Sequence, residues 1–166
     1  MSELESIVSA VCSWLETLGI RAAAAYIPGA ARRHTEPIVT VGLKTGAAMT
    51  CGQADYLGIK TDETGASREL YAKRADLTLE LDIWAPRTAE GSAQACAGIF
   101  GTLAARIPAL PGGIRVREIS CGETRFDETA GMYFCPAAMS ATVFLYAQAE
   151  EDDMFTDFYV KGVLKS

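Results

Sequence analysis

A strand pattern that gives way to a helix pattern within a few residues constrains this chain most. From Leu77 to Trp84, aliphatic residues alternate with polar ones, which is the two-residue period of a strand with one buried face. Pro86 ends this pattern, and from about 88 to 107 apolar residues recur at helical spacing. Pro108 then stops the helix. This segment predicts a strand followed directly by an amphipathic helix.

The first half of the chain predicts another helix and further strands. Apolar residues in 3–18 form one continuous stripe, and Gly19 stands where glycine is favoured just after a helix. Residues 44–69 show little periodicity, so they form either a long loop or an extended hairpin. Residues 22–27 are either an alanine-rich extension of the helix or a short strand, which Gly19 and the Tyr-Ile end favour. Alternation predicts a strand at 39–43 and a long strand from Leu70 to Trp84.

The second half predicts strands only. Residues 125–131 have the composition of a hairpin connection. A long strand from Met132 to Ala147 is interrupted by Pro136, which confines it to a sheet edge or a bulge. The other predicted strands are 114–119, with a β-bulge near Glu118, and Phe155–Leu164.

The resulting order of elements, α–β–β–loop–β–α–β–β–β, predicts the fold class. It is typical of an α+β protein with an antiparallel or mixed sheet and two amphipathic helices packed on one face. At 166 residues, the chain is expected to form a single domain over 1–166.

Composition excludes several classes of function. The net charge of −6 argues against sequence-specific nucleic-acid binding, which depends on neutralising phosphates with Lys and Arg. Apolar stretches are too short for a membrane span. The acidic start, Met1–Glu5, lacks the basic region of a secretory leader, so we expect folding in a cytoplasm. The five cysteines are widely spaced without a Cys-x-x-Cys pair, which predicts free thiols and no metal site.

Catalytic motifs are also missing from the sequence. His34 is the only histidine, and no phosphate-binding loop or nucleophile elbow is present. Asp76, Glu80 and Asp82 fall on one face of a strand, where they are either paired carboxylates for acid–base work or, as we expect, an ordinary polar face. We therefore predict no catalytic residues, no cofactor and no enzymatic activity.

Two segments have the composition of a protein–protein interface. Trp84 falls on the polar side of its strand near Arg87, so it is either an exposed interface anchor or a Trp covered by a loop. The final strand is rich in aromatic residues and could pair with the sheet edge of a neighbouring subunit. The interface candidates in this strand are Phe155, Phe158, Tyr159 and Val160.

Three segments of the sequence carry a resemblance to a known family: Leu81–Arg87, which leads into an alanine-rich helix, Ile119–Glu123 and Phe158–Lys165. In these segments the chain resembles the tail-terminator and tail-completion (head–tail joining) proteins of tailed bacteriophages, whose relatives occur in prophages and phage-tail-like particles. The resemblance covers the order of elements along most of the chain.

This resemblance implies a structural protein of the virion. Such proteins form a ring, commonly a hexamer, on the head-proximal end of the tail tube, where they stop tube polymerisation and present a joining surface to the head. The implied partners are other copies of the chain, the tail tube protein and neck or connector proteins. The implied location is the host cytoplasm during assembly and then the tail or neck of the virion.

Two other functions remain open from the residues alone. One is a small-ligand-binding or enzymatic α+β domain, with a pocket between helix and sheet near Cys96, Cys121 and Cys135. The other is an adaptor whose open sheet edge binds peptides.

Overall fold

A computed structural model of the chain describes residues 3–25, 34–87, 92–107, 110, 113–150 and 160–162, with only the backbone described at 147–150 and 160–162. In these ranges two helices, α1 (Glu3–Thr17) and α2 (Ser92–Arg106), accompany nine strands. The strands are β1 (Ala22–Ala24), β2 (Ile38–Thr50), β3 (Tyr56–Thr61), β4 (Ser67–Pro86), β5 (Arg115–Cys121), β6 (Arg125–Asp127), β7 (Met132–Cys135), β8 (Ala137–Glu150) and β9 (Val160–Gly162).

The nine strands form one sheet built around β4. One edge of β4 pairs with β2 and β3, and the other pairs with β7 and β8. Beyond them, β6 joins β7, and both β5 and β9 join β8. Only the short β1 runs parallel to its neighbour, β2, so the sheet is mixed. The predicted α+β class is confirmed.

Both helices cover the same face of this sheet. Alternate residues of β4, from Ala75 to Ala85, belong to one buried cluster together with the inward residues of β2 and β8. That cluster includes Val11 and Leu15 of α1 as well as Leu103 of α2. The opposite face is called the outer face below. The two-residue period of β4 therefore arises because one side of the strand is buried under the amphipathic helices, as the sequence predicts.

A glycine follows the last turn of helix α1, as predicted. Gly19 has a φ of +75°, a conformation that residues with a Cβ rarely adopt. In this turn the amide of Ile20 donates to the carbonyl of Leu15 at 3.1 Å. This pattern satisfies a carbonyl that the last turn of a helix leaves without an intrahelical partner.

Pro136 separates β7 from β8 in the middle of the sheet. Both strands pair with β4, so this proline lies at an interruption of the ladder and not at a sheet edge. Asp82 of β4 lies opposite the interruption, and its carboxylate accepts a hydrogen bond from the amide of Ala137. A second predicted irregularity is also present, because the register of β5 shifts between Val116 and Glu118.

Residues 44–69, which the sequence left open between a loop and a hairpin, are largely strand. β2 continues to Thr50, β3 follows on the same edge of β4, and a turn at 62–66 leads into β4. Asp62 stabilises that turn by accepting hydrogen bonds from the amides of Thr64 (2.9 Å) and Ala66 (3.0 Å). We call the hairpin 44–73 the arm.

The predicted final strand is described only in part. Phe155, Phe158 and Tyr159 lie outside the described residues. Val160 opens β9, whose backbone pairs with β8 in the register Val160 to Ala147.

Leu79 tests the buried face of β4. It is fully buried at 0% exposure, so we expect Leu79→Ala to lower the free energy of unfolding by about 3 kcal/mol, through lost transfer energy and a residual cavity. Leu4→Ala is the matched control, because Leu4 is 37% exposed and should change stability by less than about 0.5 kcal/mol. Urea denaturation followed by circular dichroism measures both. Equal losses in the two variants would contradict the assigned core.

Candidate interaction surface

Aromatic and arginine side chains line up across three strands at the end of the sheet near Pro86. On the outer face, Trp84 of β4 pairs in register with Phe134 of β7, and Phe134 pairs with Arg125 of β6. The Trp84 and Phe134 rings are 4.5 Å apart between centroids, and the Arg125 guanidinium lies 5.5 Å from the Phe134 ring. The row therefore combines ring stacking with a cation–π contact.

A second row lies on the helix-covered face of the same three strands. Tyr133 of β7 pairs in register with Phe126 of β6, and their rings meet edge to face at 5.3 Å. Arg87, just after β4, places its guanidinium 5.4 Å from the Phe126 ring. Arg87 and Phe126 are both exposed. The two rows lie on opposite faces of the same end of the sheet, and together we call Arg87, Arg125, Phe126, Tyr133 and Phe134 the aromatic patch.

Trp84 is not the exposed anchor that its position suggested as one alternative. It is 9% exposed, and its indole N–H donates to the Thr40 hydroxyl at 3.1 Å. Ile38 and Met132 pack with it in a separate small apolar cluster on the outer face. The covered alternative is the one observed, because residues of neighbouring strands and of the 128–131 turn pack around the ring, which the pattern of one strand does not reveal.

The sequence singles out Arg87 as an interface candidate but not Phe126 or Phe134, which give the patch its aromatic surface. The sequence pattern assigns Arg125 and Phe126 only to a hairpin connection. The signal was present in that hairpin, because an Arg-Phe pair and a Tyr-Phe pair flank its turn. Arg, Tyr and Phe are enriched in protein–protein interfaces, so the patch has the composition of an anchor.

A second exposed apolar surface lies on the arm. Tyr56, Leu57 and Ile59 of β3 are 40%, 44% and 59% exposed, respectively, and Met49 of β2 is 42% exposed. β3 pairs with β4 along one edge only, and among the described strands its other edge has no partner. An unpaired edge that carries large apolar side chains can accept another strand.

The arm and the aromatic patch lie at opposite ends of β4. This strand has twenty residues, with the arm at the Ser67 end and the patch at the Pro86 end. At about 3.3 Å per residue, the two ends are on the order of 60 Å apart. One continuous strand thus connects two exposed surfaces of different composition.

Between these ends, Asp76 links three strands on the outer face. Its carboxylate accepts hydrogen bonds from the hydroxyl of Thr142 on β8 at 2.6 Å and from Arg74 at 3.2–3.3 Å. Arg117 of β5 lies 3.4 Å away. The bond from Thr142, with the two guanidinium groups, lowers the pKa of Asp76. Asp76 is therefore part of an ion-pair network.

Asp82, farther along the same face, has the opposite shift. Burial, with a smaller contribution from the charge of Glu80, raises its pKa to about 6, and Lys44 only partly offsets this effect. Asp76, Glu80 and Asp82 share one strand face as predicted, but their surroundings differ. Asp82 faces the interruption of the ladder at Pro136, where its carboxylate accepts a hydrogen bond from the amide of Ala137.

An open groove of about 860 Å³ runs between α1 and the β1–β2 edge of the sheet. Its apolar lining includes Leu4, Val8, Cys12 and Leu43, and Glu80 contributes a carboxylate. This volume is within the range of small-molecule sites. The groove is not the pocket expected beside Cys96, Cys121 and Cys135.

The five cysteines are free thiols in the structure. Cys96 is fully buried against the sheet, with its Sγ 3.9 Å from the carbonyl oxygen of Ile83, while Cys135 is buried and Cys121 exposed. Within the described ranges, no three His, Cys, Asp or Glu side chains are placed to hold a metal ion.

Comparison with models of known protein families finds no match, and comparison with curated proteins finds none either. Neither helix in the described part of the chain is long and apolar enough to cross a membrane.

The raised pKa of Asp82 predicts how the free energy of unfolding changes with pH. Because its folded pKa is about 6, above the ordinary value of 3.8, the folded state holds a proton between these values that the unfolded state releases. The free energy of unfolding therefore falls as pH rises through this window, and the penalty is complete above about pH 6. We expect Asp82→Asn, which keeps an acceptor for the amide of Ala137, to gain about 1 kcal/mol at pH 7.5, after allowance for solvent screening.

Urea denaturation of wild type and Asp82→Asn from pH 4 to pH 8 measures this effect. Asp76 has the opposite dependence, so the informative quantity is the difference between the two proteins at each pH. Glu128→Gln, at an exposed carboxylate, is the control and should change stability by less than about 0.5 kcal/mol. A difference that stays constant across the pH range would refute the assignment to Asp82.

Proposed function

We propose that this chain is a structural subunit of a phage tail or a phage-tail-like particle. In this proposal, a ring of about six copies caps the head-proximal end of the tail tube. The ring stops polymerisation of the tube protein on one side and presents a joining surface to neck or connector proteins on the other. The protein acts by assembly and catalyses no reaction.

The observation that carries the proposal is the presence of two different exposed surfaces at the two ends of β4. A closed ring needs a heterologous interface, in which one patch of each subunit binds a different patch of the next. The arm offers exposed apolar side chains and an open strand edge at one end. The aromatic patch offers rings and arginines at the other end. Because β4 runs continuously between them, repeated contacts would keep one angle and allow closure.

The resemblance to tail-terminator proteins supports the same assembly. The segment Leu81–Arg87, which carries part of that resemblance, includes the end of β4 and Arg87 of the aromatic patch. A terminator must bind the last tube subunit without offering the surface to which the next one would bind. A subunit with two dissimilar surfaces meets that requirement.

Light scattering over a range of protein concentrations, with negative-stain images of the same samples, tests ring formation. We expect a species of about six subunits that appears as a closed ring and grows no further. Open filaments would contradict a closed interface. A strict monomer at all concentrations would contradict self-assembly of the isolated chain.

The arm makes a specific prediction for assembly. Ile59 is 59% exposed, so Ile59→Asp should leave the fold intact but put a charge into the proposed contact. We expect the concentration needed for half assembly to rise at least tenfold, which corresponds to about 1.4 kcal/mol. Leu4→Asp, at an exposed apolar residue of α1, is the matched control and should assemble like the wild type. Equal assembly of Ile59→Asp and wild type would exclude the arm.

Arg87 and Phe126 test the other surface. Arg87→Ala and Phe126→Ala remove exposed groups of the aromatic patch, whereas Trp84→Ala would remove a buried ring and destabilise the monomer itself. We expect both patch variants to weaken assembly with little change in the urea midpoint. Loss of stability in parallel with loss of assembly would assign these residues to the fold instead.

The groove beside α1 supports a second candidate function, the binding of a small ligand. Its apolar lining and the carboxylate of Glu80 favour a small ligand that is mostly apolar and carries a positive charge. A thermal-shift screen of amines tests it, because a ligand that binds only the folded state raises the Tm. Stabilisation that is lost in Glu80→Gln would favour this function.

A further inference from the structure

Two cysteines meet where β5 ends beside the junction of β7 and β8. Cys121 of β5 pairs in register with Ala137, two residues after Cys135. Here the amide of Gly122 donates to the carbonyl of Pro136 at 2.7 Å, and the Cys135 thiol lies 3.6 Å from the carbonyl oxygen of Gly122. Residues 121 and 137 are paired and residue 135 lies two positions from 137, so both cysteines fall on the same face of the sheet. They therefore approach each other from neighbouring strands.

Gly122 permits this close approach. A Cβ at residue 122 would lie 2.9 Å from Cγ of Pro136, a distance that real Cβ atoms essentially never show. With glycine there, the end of β5 can lie directly against the segment that contains Cys135. Diagonal neighbours across two strands are farther apart than the Cβ atoms of a disulfide, so the bond requires the end of β5 to move toward Cys135, and Gly122 leaves room for that approach.

The two thiols differ in their access to solvent. Cys121 is exposed at the sheet edge, whereas Cys135 is 2% exposed. Burial raises the pKa of Cys135, so its thiol is a poor nucleophile toward an oxidant in solution. An oxidant therefore reaches Cys121 first, and Cys135, on the same face of the sheet, can react with the product.

We propose that Cys121 and Cys135 form a reversible intramolecular disulfide bond, with a low-molecular-weight disulfide such as oxidised glutathione as the oxidant. The Cys121 thiolate attacks one sulfur of the oxidant, which forms a mixed disulfide and releases one glutathione thiol. Cys135 then loses its proton to water and attacks the Cys121 sulfur, which releases the second glutathione. Two electrons pass from the two cysteines to the oxidant, and one S–S bond replaces another.

The bond would restrain the hairpin that carries most of the aromatic patch. β6 and β7 lie between the two cysteines in the chain, so the disulfide closes a loop over 121–135. It also ties β5 to the sheet beside Pro136, where the ladder is interrupted. This physiological role rests on the proposed function, in which a particle released from a reducing cytoplasm would meet such oxidants after assembly. The bond itself does not depend on that function.

Peptide mapping of the full-length chain tests the proposal. The reduced protein is incubated in glutathione buffers from fully reduced to fully oxidised, alkylated at its free thiols and digested with trypsin. Cleavage after Lys and Arg places Cys121 in peptide 118–125 and Cys135 in peptide 126–161, and each remaining cysteine in a peptide of its own. We expect a linked 118–125/126–161 pair that increases with oxidation, disappears on reduction and accompanies a Tm rise of about 5 °C.

Two variants make the test selective. Cys121→Ser changes an exposed side chain, so it should fold and should lose both the linked peptide and the oxidation-dependent rise in Tm. Cys51→Ser is the matched control, because it removes a partly exposed thiol from the arm and should keep both effects. The proposal is overturned by a lasting glutathione adduct on Cys121 with Cys135 still alkylated. A link from Cys96 to Cys135, or between Cys121 residues of two chains, would also overturn it.

Discussion

The burial of one face of β4 beneath both helices is the constraint on which the rest of the structure depends. Leu79, Leu81 and Ile83 are fully buried, and each contributes roughly 2 kcal/mol of hydrophobic stabilisation. Because strands flank β4 on both edges, its backbone groups find hydrogen-bond partners in the sheet. A strand whose backbone groups are hydrogen-bonded on both edges can continue as a strand beyond the part that the helices cover. The arm and the aromatic patch both depend on that property.

The outer face is held by polar interactions that compensate for local irregularities. Asp76 draws Arg74 of its own strand, Arg117 of β5 and Thr142 of β8 into one network, so it connects three strands where no helix covers them. Asp82 supplies an acceptor to the amide that follows Pro136, the point at which a proline removes a donor from the ladder. Its raised pKa is a consequence of that buried position. Half-buried carboxylates on a sheet can therefore have structural roles without acid–base catalysis.

The two exposed surfaces follow from the length of β4 relative to its helical cover. At the arm, β3 exposes Tyr56, Leu57 and Ile59, and the outer half of β2 exposes Met49, because the core ends before them. At the other end, the short strands β6 and β7 bring aromatic rings under arginine side chains. Both ends of β4 therefore carry exposed apolar and aromatic groups. This geometry is the physical basis of the proposed ring.

The sequence by itself determined the α+β class, the two helices and the interruption at Pro136. Periodicity, prolines and Gly19 act locally, so their effects can be read along the chain. Only the tertiary structure decided the neighbours of each strand. The register across β4, β7 and β6 buries Trp84, which its own strand pattern left open to exposure, and assembles the aromatic patch from segments about forty residues apart in the chain. The proximity of Cys121 and Cys135 has the same origin, because cross-strand pairing depends on register and not on spacing in the sequence.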